Sequence, residues 1–375
     1  LTRKKSKAMQ FEISRETLIK PLQLVTGVVE RRQTLPVLSN VLLVLEGNQL
    51  SMTGTDLEVE LIGRVEIENG SQSGEVTVPA RKLMDICKSL PDSASLKMEL
   101  EDNKLVIRSG RSRFTLSTLP PSDFPSAEES SEALEFSISQ ERLKEMLDST
   151  SFAMAQQDVR YYLNGLLFEV SPNFLRVVAT DGHRLAMDTE DMSTSAEKTM
   201  QVIVPRKGIL ELARLLGEGE DNVDIVIGAN HVRAKTTNFT FTSKLVDGKF
   251  PDYDRVLPKG GDKKIVADRN DLRQSLSRTA ILSNEKFRGI RLTLLDDEIK
   301  ILANNPEQEE AEEIVAVEYK GDSLEIGFNV SYLVDVLTVL DTDTVQVIVY
   351  DPNSSALIQG ADGSSAIYVV MPMRL

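Results

Sequence analysis

The sequence contains no tryptophan, one cysteine and two histidines in 375 residues. The single cysteine, Cys87, cannot form a disulfide within the chain, which is compatible with a reducing cytoplasm. We expect a buried structural thiol, because Cys87 falls on the apolar face of a predicted helix. No apolar run approaches the ~20 residues that cross a bilayer, and no Gly-x-x-x-x-Gly-Lys-Ser/Thr run occurs. These absences argue against a membrane-spanning protein and against a P-loop ATPase.

Basic charge is also scarce, since 43 Lys and Arg face 58 Asp and Glu, giving a net charge of −15. Such a balance argues against nucleic-acid binding through bulk charge, although a local basic stripe on an acidic body is compatible with it. The first eight residues, LTRKKSKA, are basic and lack the apolar segment of a signal peptide. We expect them to be an added leader before a natural start at Met9.

An internal repeat organises the rest of the chain. Residues 201–216 predict a short strand, a corner with Pro205 at the helix start, and a helix. The expected buried face of that helix is Ile209, Leu212, Ala213 and Leu216. Similar runs occupy residues 76–90 and 324–340, so three copies follow one another at intervals of about 125 residues.

Each copy also opens with a strand and a helix, whose expected N-caps are Ser14, Ser139 and Asp268. Pro21 should kink or shorten the first of these helices. Hairpin signals then give about eight strands and two helices per copy, which predicts an α+β fold of antiparallel sheets with helices on one face. The expected domains are residues 9–133, 134–262 and 263–375. A repeat of this kind also suits an open solenoid.

Five motifs give the chain a resemblance to a known family. They are DVRYYLN (158–164), ATDGHRL (179–185), FPDY (250–253), NEKFRG (284–289) and the terminal MPMRL (371–375). In this order they resemble the bacterial DNA polymerase sliding clamp, the beta subunit of DNA polymerase III. The resemblance runs from Met9 to Leu375.

The resemblance implies three similar domains per chain in a head-to-tail homodimeric ring, with helices lining the hole and sheets outside. It implies a cytoplasmic, non-catalytic processivity factor that needs no cofactor or metal. Its partners would be double-stranded DNA, bound without sequence preference, the replicative polymerase, a clamp loader that uses ATP, and other proteins with a clamp-binding motif.

The resemblance also implies a peptide-binding pocket where the second and third copies meet. Its residues would be Leu163, Thr180, Gly182, His183, Arg184, Leu185, Pro251, Arg255, Val256, Asn329, Tyr332, Ser355, Val369, Met371, Pro372, Met373 and Arg374. Exposed methionines adapt to varied apolar partners, and Pro372 lowers the ordering cost of binding. The alternative is that the Met-Pro-Met end only packs as a last strand.

For DNA binding, the resemblance implies Arg32, Arg81, Gln157, Arg160, Tyr161, Tyr162, Arg206 and Lys207. Tyr161 and Tyr162 could instead be core residues at the start of a strand. Further basic residues lie on the predicted helices, including Arg15, Lys88, Arg214, Arg269 and Arg278. They form an electropositive hole if the helices line one, and otherwise belong to ordinary solvated faces.

The implied dimer interface joins basic residues of the first copy to an acidic run of the third. Its members would be Lys82, Lys104, Arg111, Arg113, Ile281, Leu282, Glu307, Glu309, Glu310 and Glu313. The acidic run could also suggest a metal site or a solvated edge, but acids that alternate on a strand point to two faces. Exposed ion pairs bring only ~0–1 kcal/mol each, so Ile281 and Leu282 should matter more for affinity.

An enzyme is the rival from another class, with Asp181 and His183 as a general acid–base pair beside Arg184. Neither a serine nucleophile motif nor a second histidine at metal-ligand spacing accompanies this pair. A monomeric repeat scaffold is the second rival.

Overall fold

The computed structural model describes residues 9–29, 35–67, 72–126, 134–217, 221–361 and 363–374. Within them, 24 strands and six helices follow one another as three rounds of the same order. Each round has eight strands and two helices, as the hairpin signals predict. The expected leader lies outside the described residues.

In every copy, a first strand and helix precede four strands, a second helix and three strands. The first copy contains β1 (Gln10–Ser14), α1 (Arg15–Thr26), β2 (Asn40–Glu46), β3 (Gln49–Thr55), β4 (Val59–Glu66), β5 (Gly74–Pro79), α2 (Ala80–Ser89), β6 (Ser95–Glu101), β7 (Lys104–Ser109) and β8 (Ser112–Ser117). The second contains β9 (Leu134–Ser139), α3 (Gln140–Thr150), β10 (Gly165–Ser171), β11 (Phe174–Thr180), β12 (Arg184–Asp191), β13 (Met200–Pro205), α4 (Arg206–Leu215), β14 (Asn222–Ile227), β15 (His231–Lys235) and β16 (Phe239–Lys244). The third contains β17 (Lys263–Asp268), α5 (Arg269–Thr279), β18 (Gly289–Leu295), β19 (Glu298–Asn304), β20 (Glu310–Ala316), β21 (Leu324–Asn329), α6 (Val330–Val339), β22 (Thr344–Val349), β23 (Ala356–Gly360) and β24 (Ala366–Val370).

Side-chain caps begin two of the first helices. The Ser14 hydroxyl accepts the Thr17 N–H at 3.1 Å, and the Asp268 carboxylate accepts the Asp271 N–H at 2.8 Å. Both caps were expected from the sequence and satisfy a helical N–H that has no carbonyl partner. Pro21 does not shorten α1, which runs through it to Thr26.

The proline corners differ slightly from the expectation. Pro205 ends β13, and Pro79 precedes α2 with a ψ of 111°, so neither proline is the first helical residue. The fixed φ of proline suits an extended residue as well as a helical one. On α4, Ile209 and Leu212 are buried as predicted, whereas Ala213 is only half-buried.

The first residue of each first helix bonds the far end of the second helix in its copy. Arg15 donates to the Cys87 carbonyl, and Arg269 donates to the carbonyls of Leu337 and Thr342. In the second copy, the Gln140 side chain accepts the Gly217 N–H. Arg15 and Arg269 therefore satisfy helix-end groups of their own copies.

The chain folds into two compact units, each with one eight-stranded and one four-stranded antiparallel sheet. The first unit comprises the described parts of Leu1–Glu141 and Leu210–Leu245, with strand orders β5-β2-β3-β4-β16-β15-β14-β9 and β1-β6-β7-β8. The second unit comprises the described parts of Arg142–Ile209 and Val246–Leu375. Its strand orders are β13-β10-β11-β12-β24-β23-β22-β17 and β20-β19-β18-β21.

Both eight-stranded sheets cross from one copy into the next by the same rule. The fourth strand of a copy pairs with the eighth strand of the following copy, as β4 with β16 and β12 with β24. The registers also correspond, since Leu61 faces Phe241 and Ala186 faces Tyr368. Phe241 and Tyr368 are fully buried. Each junction therefore has an aromatic side chain in its core.

Cys87 is fully buried on α2, as predicted. Burial raises the pKa of its thiol to about 11, against a smaller opposing effect of Arg15. The thiol is consequently neutral near pH 7 and acts as a small apolar group.

Candidate functional site

The turn between β11 and β12 is built by two side chains that bond its own backbone. The Asp181 carboxylate accepts the N–H groups of His183 and Arg184, at 2.9 and 3.1 Å. The Thr180 hydroxyl accepts the Gly182 N–H and donates to the Arg184 carbonyl. Gly182 adopts a φ of +90°, which favours glycine. Asp181 thus bonds the backbone and the Arg184 side chain, rather than the imidazole that an acid–base pair would require.

Arg184 is the best-anchored side chain of the predicted pocket. Its guanidinium pairs with Asp181 and Asp335 and also donates to the Phe152 carbonyl. It lies 4.7 Å from the Tyr332 ring centroid and 5.2 Å from that of Phe152. The His183 ring stacks on Tyr332 at 6.3 Å. These contacts make one continuous wall of aromatic and cationic groups.

An apolar cluster forms the floor beside this wall. Leu185 and Val369 belong to it and are almost fully buried, and Val256 packs against it half-exposed. Leu163 is also buried, at 2% exposure. Leu163, Leu185 and Val369 are therefore core residues beneath the surface, whereas Val256 can offer a ligand more of its side chain.

The chain end runs past the wall in an extended form. The Met371 N–H donates to the His183 carbonyl at 2.9 Å, and the Met373 N–H donates to the Gly327 carbonyl at 2.8 Å. Met371 is 39% exposed, and Pro372 and Met373 are half-buried. The end thus pairs its backbone as a strand does and also presents side chains to solvent, and the pocket interpretation of the Met-Pro-Met segment stays a prediction. Asn329 caps α6 by accepting the Ser331 N–H.

A groove of about 920 Å³ adjoins the cluster in the second unit. Three predicted pocket residues line it, namely Arg255, Val256 and Ser355. Tyr350 and Leu357 line it as well, and the sequence reasoning missed both. The alternating pattern around β22 and β23 could have suggested them, since successive residues of a strand face opposite sides.

The predicted DNA-binding residues fall on loops and helix starts. Arg32 lies outside the described residues. Gln157 and Arg160 are exposed, and Arg160 bonds Asp158 through its side chain and backbone, which lowers the pKa of that carboxyl to about 2. Tyr161 is 57% exposed, whereas Tyr162 packs partly buried on the apolar cluster. Tyr161 is therefore a surface residue, and the core interpretation fits only Tyr162.

Arg81, Arg206 and Lys207 lie in the first turns of α2 and α4. Arg81 donates to the Val29 carbonyl at 3.1 Å, and Arg206 donates to the Met154 carbonyl at 3.4 Å. Of the other basic helix residues, Arg214 pairs with Glu211 and Arg278 with Glu313. The basic character of the helices is thus partly neutralised within the chain.

The predicted interface residues lie on or beside two edge strands, β8 and β20. Lys82, Lys104, Arg111 and Arg113 are exposed in the first unit. In the second unit, Ile281 is 74% exposed, Leu282 is half-buried, Glu307, Glu309 and Glu310 are exposed, and Glu313 is held by Arg278. Sequence reasoning missed the exposed Phe287 and Ile314.

Among the described residues, no three His, Cys, Asp or Glu side chains are placed to hold a metal ion. Within the same residues, the longest apolar helices fall short of what a bilayer crossing requires.

Comparisons with known proteins cover the chain in three consecutive parts. The N-terminal, central and C-terminal domain models of the DNA polymerase III beta subunit match residues 9–128, 137–252 and 254–374.

Named relatives resemble the chain over almost its whole length. The beta sliding clamp of Pseudomonas aeruginosa is 66% identical over 98% of this chain and 100% of that protein. The beta sliding clamp of Escherichia coli is 52% identical over the same shares. A crystal structure of the Pseudomonas aeruginosa clamp bound to griselimycin has a TM-score of 0.96, at 66% identity over 98% of this chain and all of that one. The Caulobacter crescentus pol III beta structure has a TM-score of 0.90, at 37% identity over the same shares. The chain therefore belongs to the DNA polymerase III beta subunit family, the bacterial sliding clamps, which are non-catalytic processivity factors.

Proposed function

We propose that this sliding clamp closes as a head-to-tail homodimer around duplex DNA. In this proposal it tethers the replicative polymerase and other clamp-binding proteins through the Arg184 wall and the groove lined by Arg255, Val256 and Ser355. The observation that carries the proposal is the strand order. Two junctions inside the chain pair the fourth strand of one copy with the eighth strand of the next.

By the same rule, one strand in the first copy and one in the third copy have an unpaired outer edge. The third copy has no following copy, and its fourth strand, β20, stands at the edge of a four-stranded sheet. The first copy has no preceding copy, and its eighth strand, β8, stands at the edge of the other. Pairing β20 of one chain with β8 of a second would complete two further eight-stranded sheets and leave neither edge exposed.

The register of this pairing follows from the two internal junctions. Gly54 pairs with Leu61 in the first copy and Ala303 with Ala311 in the third, so Ala311 corresponds to Leu61. Ala234 pairs with Phe241 in the second copy and Ile107 with Phe114 in the first, so Phe114 corresponds to Phe241.

Extending the internal register therefore sets Phe114 of one chain against Ala311 of the other, and Arg113 against Glu312. Phe114 is only half-buried in the single chain, unlike its counterparts Phe241 and Tyr368. Charge complementarity and an aromatic side chain left to bury both favour this contact.

Topological retention then explains how a chain of net charge −15 can hold DNA. A closed ring needs only weak phosphate contacts, so residues such as Arg81, Arg160 and Arg206 suffice without a strongly basic surface. Weak contacts also allow sliding.

DNA retention on circular and linear templates tests the proposal. Raising the salt concentration should speed escape from linear DNA far more than escape from nicked circles, because salt screens phosphate contacts but leaves a closed ring closed. Equal loss from both templates would refute encirclement.

The proposal also includes the domain boundaries after residues 133 and 262 and a cytoplasmic location. Limited proteolysis should cut first near those two boundaries, since exposed connecting segments are the preferred sites of proteolytic cleavage. Cell fractionation tests the location.

A further inference from the structure

A second cavity, of about 520 Å³, lies in the second unit between α3, the segment after α6 and β24. It is distinct from the groove beside Val256 and has the volume of an ordinary ligand pocket, about 300–1,000 Å³. Four carboxylates, those of Glu145, Asp148, Asp188 and Asp341, line it against a single guanidinium, that of Arg142.

The Arg142 guanidinium is already engaged. It bonds Asp188 at 2.8 Å and Glu190 at 2.6 Å and pairs more loosely with Glu145 at 3.5 Å, and Asp188 is only 2% exposed. Lys144 pairs with Asp148 from outside the cavity lining. The lining therefore keeps an excess of negative charge, which favours a cationic ligand.

A buried hydroxyl in the same lining lacks a partner. Tyr368 is fully buried, and its phenol oxygen makes no hydrogen bond of acceptable geometry within the described residues. Buried polar groups are nearly always satisfied, so this one indicates a donor or acceptor that comes from elsewhere.

The equivalent place in the first unit identifies the group. In the first unit, Arg214 is the ninth residue of α4, and its guanidinium donates at 3.1 Å to the carbonyl of Leu24, the tenth residue of α1. In the second unit, α3 corresponds to α1 and α6 corresponds to α4. Ser149, which lines the cavity, therefore stands at the position of Leu24, and Thr338 stands at the position of Arg214. The Thr338 hydroxyl bonds the Val334 carbonyl of its own helix. The first unit thus has a guanidinium of its own at this end of its helix pair, whereas the second unit has a threonine there, next to Val339 in the cavity lining.

We propose that this cavity binds a guanidinium group from outside the chain. The guanidinium would donate to the carboxylates of Asp341 and Glu145 and to the Tyr368 hydroxyl, with its plane set between α3 and the end of α6. The planar fork of five N–H donors suits several acceptors better than the point charge of an ammonium does. The source is either a free guanidinium compound or an arginine side chain of a bound protein.

Fluorine NMR of the full-length protein labelled with 3-fluorotyrosine tests this proposal. The Tyr368 resonance is assigned by its loss in Tyr368→Phe. N-acetyl-arginine methylamide should shift it saturably, and N-acetyl-lysine methylamide should bind at least about fivefold more weakly. Methylguanidinium distinguishes the two sources. If methylguanidinium binds as well as the arginine derivative, the natural ligand is a free guanidinium compound. If methylguanidinium binds more weakly, the natural ligand is an arginine side chain of a protein.

Thr338→Arg should place a guanidinium in the cavity from within. We expect it to shift the Tyr368 resonance without ligand and to abolish the titration. Ser277→Arg adds the same charge on the exposed face of α5 and should leave the titration unchanged. Asp341→Asn should weaken binding by at least about threefold, measured by the same titration or by calorimetry, even if Thr338→Arg does not fold.

The proposal is overturned if the arginine derivative gives no saturable shift of the Tyr368 resonance. It is also overturned if the lysine derivative binds equally well, or if Thr338→Arg folds and still titrates like the unmodified protein.

Discussion

At the scale of residues, Arg184 is a firmly held side chain of the proposed peptide-binding pocket. Three acceptors and two rings hold its guanidinium before anything binds. A side chain that is already ordered loses little conformational freedom on binding, so the wall should contribute affinity at low entropic cost.

Cys87 should resist thiol reagents in the native protein. Burial raises its pKa to about 11, so the native thiolate fraction near pH 8 is much lower than in the unfolded chain. Because the folded pKa is raised, this contribution to stability is present below the ordinary pKa and is lost as the pH rises toward 11. Maleimide labelling followed by mass spectrometry should modify Cys87 only after unfolding. Full labelling of the native protein would contradict this expectation.

The charge pair predicted across β8 and β20 is also a residue-scale prediction. Arg113→Glu should weaken dimerisation by about 1 kcal/mol, roughly fivefold in Kd, because it sets like charges opposite each other. Glu312→Arg in the same chain should restore most of that loss. Sedimentation velocity at several concentrations measures both.

Arg291→Glu is the control for this pair, since Arg291 lies on the inner strand β18. It should leave the dimer unchanged. If the Arg113→Glu, Glu312→Arg double variant dimerises as weakly as Arg113→Glu alone, the register between β8 and β20 differs from that of the internal junctions.

At the scale of elements, the chain end combines pairing with exposure. Two backbone hydrogen bonds hold Met371 and Met373, while the side chains stay accessible. The segment follows β24 and is short, so we expect its removal to leave the sheet that contains β24 intact.

Deleting residues 371–375 should lower the affinity for a short, extended peptide with a glutamine and one or two apolar anchors. We expect at least a tenfold loss from an affinity of about 1 μM, over ~1.4 kcal/mol, because the chain end that runs past the Arg184 wall is removed. Fluorescence polarisation measures the affinity for the peptide.

An unchanged melting temperature would exclude unfolding of the third copy as the cause of the loss. Undiminished peptide affinity in the folded truncation would put the site elsewhere.

At the scale of the whole molecule, three repeats fold into two units because sheets extend across repeat boundaries. The second copy is divided, with β9 and β14–β16 in the first unit and β10–β13 in the second. A copy therefore completes its sheets only with its neighbours, which is the physical reason to expect a second chain at the two open edges.

The chain should sediment as a stable dimer at micromolar concentration. Ile281→Ala with Leu282→Ala should raise the dimer Kd by about 100-fold, ~2.7 kcal/mol, because truncated apolar side chains leave a buried contact underpacked. Leu295→Ala, at an exposed position on the end of β18, is the matched control and should have no effect. A wild-type chain that sediments as a monomer would contradict the ring.

The repeat, the strands and helices of each copy, the caps at Ser14 and Asp268, and the buried Cys87 could all be predicted from the amino-acid sequence. These features depend on local periodicity and capping, which are visible within about 20 residues of chain. The family resemblance added the candidate pocket, but not the way its residues divide between core and surface.

Strand pairing could not be predicted and had to be seen in the folded chain, because it joins residues far apart in the sequence. It showed that Asp181 bonds backbone N–H groups, that Arg15 and Arg269 cap neighbouring helices, and that Tyr161 is exposed while Tyr162 packs inward. Each outcome depends on which partner a side chain meets in space, and residue type alone does not specify that partner.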